Sequence, residues 1–377
     1  MAQIESNPFG IGVVQPSVPA FVQGLSLFET RGLSGVYGAS SGDDSCQDVT
    51  TGTFTNPGAL MYAWSGAAHD FSGRRMFFSG GGHNNGNNAT VYMFDFADVA
   101  GRPNGMFNVY TPPGAPPADG GTYSTYLGQP GPRQTYQRMY YDEVDGKFVH
   151  CGGSMWHSGN GLNIIDVEYL DVAGGTWEQG ILTNTFSPYQ NLIYDQAARK
   201  SVHFGQSAGT CKFYDHVNRT ISGAKAWPGS LLYVTMAYDW TRQRGFTVGS
   251  TRMTFDIDWD AETVTVTGGS FSTPYSSNSS AVQSNYASPT FDPDNDRFWM
   301  FTGSPPYSTL HEIDAAAASG SVNVVASHSL SGEAIPTTDG GAGQNTQMWN
   351  RMMYLKDWGC LGLLNSYVSA PSIIRVA

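Results

Sequence analysis

Short apolar runs recur along this chain, and polar corners cut them off at fixed distances. The clearest are Met76-Phe77-Phe78, Phe148-Val149, Val202-His203-Phe204, Phe246-Thr247-Val248 and Phe298-Trp299-Met300-Phe301. Runs this short, broken by turn residues and without polar alternation, predict strands covered on both faces. Each run sits in the same frame. An aspartate closes a preceding strand (Asp70, Asp142, Asp195, Asp239, Asp292), a basic residue follows five positions later (Arg75, Lys147, Lys200, Arg244, Arg297), and a glycine five positions after that (Gly80, Gly152, Gly205, Gly249). In the fifth copy the glycine comes one residue later, at Gly303. The spacing predicts a hairpin. The aspartate accepts backbone hydrogen bonds within the turn, the cation opens the second strand facing that aspartate or solvent, and the glycine releases the chain.

A third strand ending in aspartate follows each glycine: Val91–Asp95, Val167–Asp171, Cys211–Asp215, Met253–Asp256 and Leu310–Asp314. A fourth is predicted at Asn108–Tyr110, Thr176–Trp177, Thr263–Val266 and Val322–Val325. Four antiparallel strands make one blade of a radial array, and repeats of this kind stack because no copy buries its faces alone. A sixth unit lacks the corner motif, but Gln347–Tyr354, Gly359–Leu364 and Ile373–Val376 read as strands, and Leu25–Tyr37 is expected to supply the strand that closes the ring. The fold class is all-β: a single β-propeller of about six four-stranded blades, with seven as the alternative. Residues 1–57 form an irregular N-terminal segment, a ring-closing strand or an attachment to a larger assembly, and residues 58–377 the propeller.

Composition agrees. Of 377 residues, 40% are hydrophobic and only 13% charged, with 46 glycines for turns, which excludes a disordered chain. The net charge of −12 and the absence of a basic block argue against nucleic acid as a partner. No apolar run is long enough to span a membrane, and the first residues lack the basic and apolar regions of a secretory leader. Cys151 and Cys211 lie in strand patterns and read as small buried side chains, while a bridge from Cys46 stays open.

The glycine runs Gly80-Gly81-Gly82 and Gly152-Gly153, the Tyr/Phe-Asp corners and Trp177 near the end of a unit resemble the kelch and galactose-oxidase-like propellers. The resemblance spans residues 59–377. It departs where Gly205, Gly249 and Gly303 stand single and where most units lack the late tryptophan. It implies the kelch-like blade. A copper oxidase of that class needs two histidines and two tyrosines around the metal, whereas the eight histidines here are scattered, so no metal or cofactor is expected.

Function is expected on the face of the longer connections, since loops on a rigid scaffold carry binding residues. The loop with His83, Asn84 and Asn87 offers amides and an imidazole to a sugar or cation, and reads equally as a polar turn. Trp156 and His157 lie in the next long connection, as a stacking platform or a cap on the blade. Entries to the inner strands bring Arg133, Tyr136, Gln137, Tyr189, Gln190, Gln344 and Asn345 toward the central channel, to hold a ligand or to face water. No nucleophile elbow, phosphate loop or zinc helix is present. No catalytic residue is therefore assigned. If the chain is a polysaccharide lyase, His83, Arg133 and Tyr136 would supply the base and the uronate contact. The favoured reading is a non-catalytic recognition or structural module for a glycan or protein partner, with a virion or extracellular setting. The scarcity of lysine, the missing leader and the compact β build are similar to phage virion proteins that carry propellers.

Overall fold

A computed structural model describes residues 18–33, 66–79, 91–97, 106–110, 125–126, 129–130, 135, 137–157, 160–179, 191–205, 209–227, 234–249, 252–272, 289–301, 307–316, 320–335, 350–364 and 371–377. Of 106–110, 125–126, 129–130, 154–157 and 160–166 it describes the backbone alone. These residues form six antiparallel sheets of four or five strands, arranged as a six-bladed β-propeller. In blades 1 to 5 the first strand is innermost: Ala68–Asp70, Met139–Asp142, Asn191–Asp195, Val234–Asp239 and Thr290–Asp292. The second strands begin at the predicted cations, and each pairs in register with the first, Asp70 opposite Arg75 and Asp142 opposite Lys147.

Blade 6 is assembled from both ends of the chain. Met352–Leu355, Cys360–Leu363 and Ser372–Arg375 are its first three strands, and Glu29–Gly32 is the fourth, antiparallel to Ser372–Arg375. The fourth strand also pairs in parallel with Ser331–Gly332 of blade 5. A four-residue helix, Ala20–Gln23, precedes it and places Val22 in the core. The fourth strand of blade 5 is Val324–Ser329. The preceding Ser321–Val322 instead pairs in parallel with Ser270–Phe271, which joins blades 4 and 5.

Because successive side chains on a strand point to opposite faces, each blade supplies apolar groups to two neighbours. Met139 and Tyr141 face blade 1 with Phe77 and Val91, while Tyr140 of the same strand faces blade 3 with Leu192 and Tyr214. The buried side chains accordingly fall into six clusters, one per seam between blades. Cys151, Cys211 and Cys360 are buried in these clusters and form no disulfide; burial pushes Cys211 up to about 11 and Cys360 up to about 12. Cys46 lies outside the described residues.

The turns explain the repeat. Oδ1 of Asp70 accepts the Gly73 N–H at 2.8 Å, and Oδ1 of Asp195 the Ala198 N–H at 2.8 Å. Asp142, Asp239 and Asp292 do the same for residues two or three positions on. The residue before each second strand takes a left-handed conformation: Arg74, Gly146, Arg199, Gln243, Asp296 and Gly359, at φ from 51° to 65°. A four-residue loop needs that reversal to return the chain to register, at a cost of about 1 kcal/mol where the residue is not glycine. Gly73, whose backbone is not left-handed, serves the first turn differently: a Cβ there would crowd the Asp70 carboxylate that holds the turn. Third strands end the same way, with Asp171, Asp215 and Asp258 capping the next turn.

Two details differ from the sequence expectation. In blade 4 the third strand runs to Asp258 rather than Asp256, because Ile257 continues the buried alternation. Asp256 instead faces Arg244 across the ladder. And of the five cations that open second strands, only Arg75 pairs with its own corner aspartate, Nε to Oδ2 at 2.6 Å. Lys147, Lys200 and Arg297 reach Glu178, Glu262 and Glu312 on outer parts of their own or the next blade.

The corner aspartates therefore carry neighbours as well as turns. Tyr238 of blade 4 donates to Asp195 of blade 3 at 2.7 Å, and Arg199 of blade 3 donates to Asp142 of blade 2 at 2.8 Å. Replacing Asp195 by alanine removes a turn bond and leaves the Tyr238 hydroxyl, which still accepts the Trp259 indole N–H at 2.8 Å, with no acceptor for its own proton, so the expected loss is about 2–3 kcal/mol. Asp171→Ala, which loses only bonds within its own turn, is expected to cost about 1 kcal/mol. Urea denaturation of both variants checks this; equal losses would deny the bond between blades its share.

Candidate functional site

The innermost strands surround a central cavity of about 380 Å³. Its wall comes from strand residues of several blades, with Tyr140, Tyr141, Tyr194 and Tyr238 among them, and from the first residues of the turns: Phe71, Ser72, Glu143, Gln196 and Trp240. It reaches solvent at the turn face, where Ser72 and Ala197 are exposed. Phe71 of blade 1 and Trp240 of blade 4 meet there with ring centroids 5.1 Å apart, and Trp240 packs edge-on against Phe291 at 4.8 Å.

The polar atoms around this cavity are mostly committed to the ring. Gln137 is buried, and its side-chain amide brackets Met236, donating to its carbonyl and accepting its N–H, both at 2.9 Å. Asn191 donates to the Val234 carbonyl at 2.8 Å, and the His69 ring meets the Asn350 carbonyl at 2.7 Å. On the turn face, Glu143 of blade 2 accepts the Phe71 N–H of blade 1 at 2.8 Å and the Ser72 hydroxyl. Gln196 of blade 3 accepts the Glu143 N–H at 3.1 Å. Arg242 pairs with Asp296, Tyr354 donates to Asp294 at 3.0 Å, and Arg74 donates to Asp357 at 2.7 Å. With the two bonds described above, every pair of adjacent blades is joined at this face.

Behind the cavity, the seam between blades 2 and 3 is polar. The hydroxyls of Tyr140, Tyr169 and Ser201 all touch the His216 ring, at 2.5 to 3.0 Å, and Ser201 also reaches His203 at 2.7 Å. Burial holds these groups neutral. It pushes His203 down to about 3, drives His216 well below its ordinary value and raises the Tyr140 phenol. His69 is likewise pushed down to about 4, against the Asn350 carbonyl that favours its protonated form. Such histidines are hydrogen-bonding groups at neutral pH, not charged ones.

Of the residues singled out in the sequence, Gln137 lies in the wall of the cavity. Trp156 and His157 stand on the second strand of blade 2, Lys147–His157, opposite Gly161 and Asn160. His83, Asn84, Asn87, Arg133, Tyr136, Tyr189, Gln190, Gln344 and Asn345 lie outside the described residues. Among the described residues no cluster of His, Cys, Asp and Glu is set to hold a metal ion, and no helix is long and apolar enough to cross a membrane. The sequence reading did not find the aromatic and carboxylate wall. Its signal is a column of the repeat: the positions just before and just after each corner aspartate.

No family model matches the chain, and no curated protein matches it. Solved structures do. A structural-genomics protein of unknown function from Bacteroides thetaiotaomicron superposes with a TM-score of 0.52 at 11% identity, over 92% of this chain and 75% of that one. A Kuenenia stuttgartiensis hydrazine synthase chain gives a TM-score of 0.48 at 10% identity, over 83% of each. TolB from Acinetobacter baumannii gives 0.40 at 12% identity, over 68% of this chain, which spans 55% of the length of that protein. At these identities the likeness shows the fold alone.

The buried histidines set an acid limit. His69, His203 and His216 have folded-state values below the unfolded 6.5, so the unfolded chain takes up protons first as the pH falls. Stability is complete above about pH 6.5 and declines below it, by up to about 1.4 kcal/mol per pH unit for each histidine, until the folded imidazole itself titrates. For His69 that point is about 4 and for His203 about 3. Denaturant midpoints between pH 7 and pH 5 are expected to fall steadily; a flat profile would mean that these rings charge in place.

Proposed function

We propose that this chain is a kelch-like recognition propeller, without catalysis of its own, that binds a glycan or a protein partner on the face opposite its tight turns. One observation carries the reading. In blade 2 the second and third strands run for 11 and 12 residues, where second strands elsewhere have 4 to 6. The hairpin continues for five pairs past Cys151, from Gly153 opposite Ile164 to His157 opposite Asn160. At about 3.3 Å per residue that is a finger of about 15 Å beyond the neighbouring strands. It carries Trp156 and His157 next to its tip. An aromatic residue on a projecting ribbon suits stacking on a sugar ring or insertion into a protein surface.

The glycine pair Gly152-Gly153, at φ of 62° and 140°, starts this finger and supports the kelch-like reading of the blade. The opposite face supports it by contrast, since its turn residues are occupied in joining blades. The residues that a lyase reading would use, His83, Arg133 and Tyr136, belong to the same long-connection side of the sequence pattern. A virion or extracellular setting accords with the scarce lysine and the acidic composition.

The test is a glycan array and a pull-down with candidate surface proteins, using the intact chain and Trp156→Ala/His157→Ala. The double variant is expected to lose at least about tenfold in affinity with its melting temperature unchanged. Retained affinity would remove the finger from the binding surface. In parallel, acidic polysaccharides are incubated with the protein and followed in the ultraviolet. Steady formation of an unsaturated product would replace recognition by elimination chemistry.

A further inference from the structure

The central cavity has carboxylates in its wall that take part in the ring's hydrogen bonds but have no cation beside them among the described residues. Glu143 and Asp195 both contribute to its wall, and neither is ion-paired among the described residues. Asp195 is 2% exposed. Its oxygens accept only the Ala198 N–H and the Tyr238 hydroxyl, and those of Glu143 only groups of Phe71 and Ser72. No lysine or arginine is among the described residues of the wall, and His69, its one imidazole, is held neutral by burial. The rings of Tyr141, Tyr194, Tyr238 and Trp240 line the same cavity as the two carboxylates, with Met139 and Met236 adding apolar surface.

We propose that this cavity is a binding site for an aliphatic ammonium group, held by the faces of the aromatic rings and by the uncompensated charge of Glu143 and Asp195. Rings attract a desolvated cation by about 1–2 kcal/mol each, and two carboxylates in a low-dielectric wall add a field that only a cation relieves. The alternatives fit less well. A metal ion asks for several free oxygen ligands, whereas the carboxylate oxygens here already accept hydrogen bonds. A neutral sugar would leave both charges uncompensated. A volume of about 380 Å³ holds a trimethylammonium group or a lysine side chain with room for water. The proposal is independent of the finger on blade 2, which lies at the other end of the ring.

The experiment titrates the intact protein with choline, with its neutral isostere 3,3-dimethylbutan-1-ol, and with Nα-acetyl-lysine N-methylamide, following heat and the indole N–H resonance of Trp240. Choline or the lysine derivative is expected to bind and shift that resonance, with the neutral alcohol at least about tenfold weaker. Stronger binding of choline assigns the site to a free small cation, and stronger binding of the lysine derivative to a protein-borne side chain. Glu143→Gln is expected to weaken the cation about tenfold and leave the alcohol unchanged. Equal binding of cation and alcohol, or no shift of Trp240 with any of the three, overturns the proposal; the resonance in the unaltered protein gives this answer even if the variant fails to fold.

Discussion

The ring depends on a carboxylate placed where the inner strand of each of blades 1 to 5 ends. One oxygen holds the following turn in shape and the other reaches outward. Asp70 takes Arg75 of its own hairpin, Asp142 takes Arg199 of the next blade, and Asp195 takes Tyr238 of the next. A hydrogen bond to a charged acceptor contributes about 1.5–3 kcal/mol, roughly twice a neutral one. The same aspartate thus fixes the blade and its angle to the neighbour, so local structure and ring geometry are not independent choices. That coupling also explains why Arg74, Arg199 and Asp296 accept left-handed backbone: each leaves its turn with a side chain directed at an adjacent blade.

A ring joined at one face leaves the other free to vary. Connections on the joined face are four residues long between first and second strands, because a longer loop would carry the bonding groups out of reach. On the opposite face the segments between strands range from the three residues separating Gly249 and Met253 to the long finger of blade 2. The aromatic cavity follows from the same division. Residues next to each corner aspartate converge on the axis because the strands bearing them do, and those whose side chains make no bond between blades, the rings of Phe71 and Trp240 among them, are left to line it.

Much of this was legible in the sequence where one chemical rule acts at a fixed spacing. The five aspartates at the ends of the first strands and the cations that open the second stand at the expected positions. Legibility failed where another interaction replaced the rule. In blade 6 the corner is Leu355 and the strand opens with Cys360, both buried in the closing cluster, so no aspartate marks it. In blade 4 two aspartates compete, and only the burial of Ile257 between them decides for Asp258. The cavity was invisible for a different reason: its wall takes one or two residues from each of several blades, and no stretch of sequence contains it.

The seams show how a closed ring distributes apolar burial against directed bonds. Blades 6 and 1 meet through fifteen buried apolar residues among those described, with the N-terminal Val22, Leu25 and Leu33 added to the strand residues. Blades 2 and 3 meet through seven, supplemented by the network of Tyr140, Tyr169, Ser201, His203 and His216. The first seam includes the blade in which the two ends of the chain are paired as strands, and its burial opposes the entropy of bringing distant segments together. The second joins blades consecutive in sequence, where less burial suffices and hydrogen bonds can set the angle instead. A polar seam is specific because each donor must find its acceptor, and it tolerates little displacement. The Tyr140 and Tyr194 rings, stacked 4.0 Å apart between that seam and the cavity, are thereby held in one position, which is the condition for a wall that recognises anything.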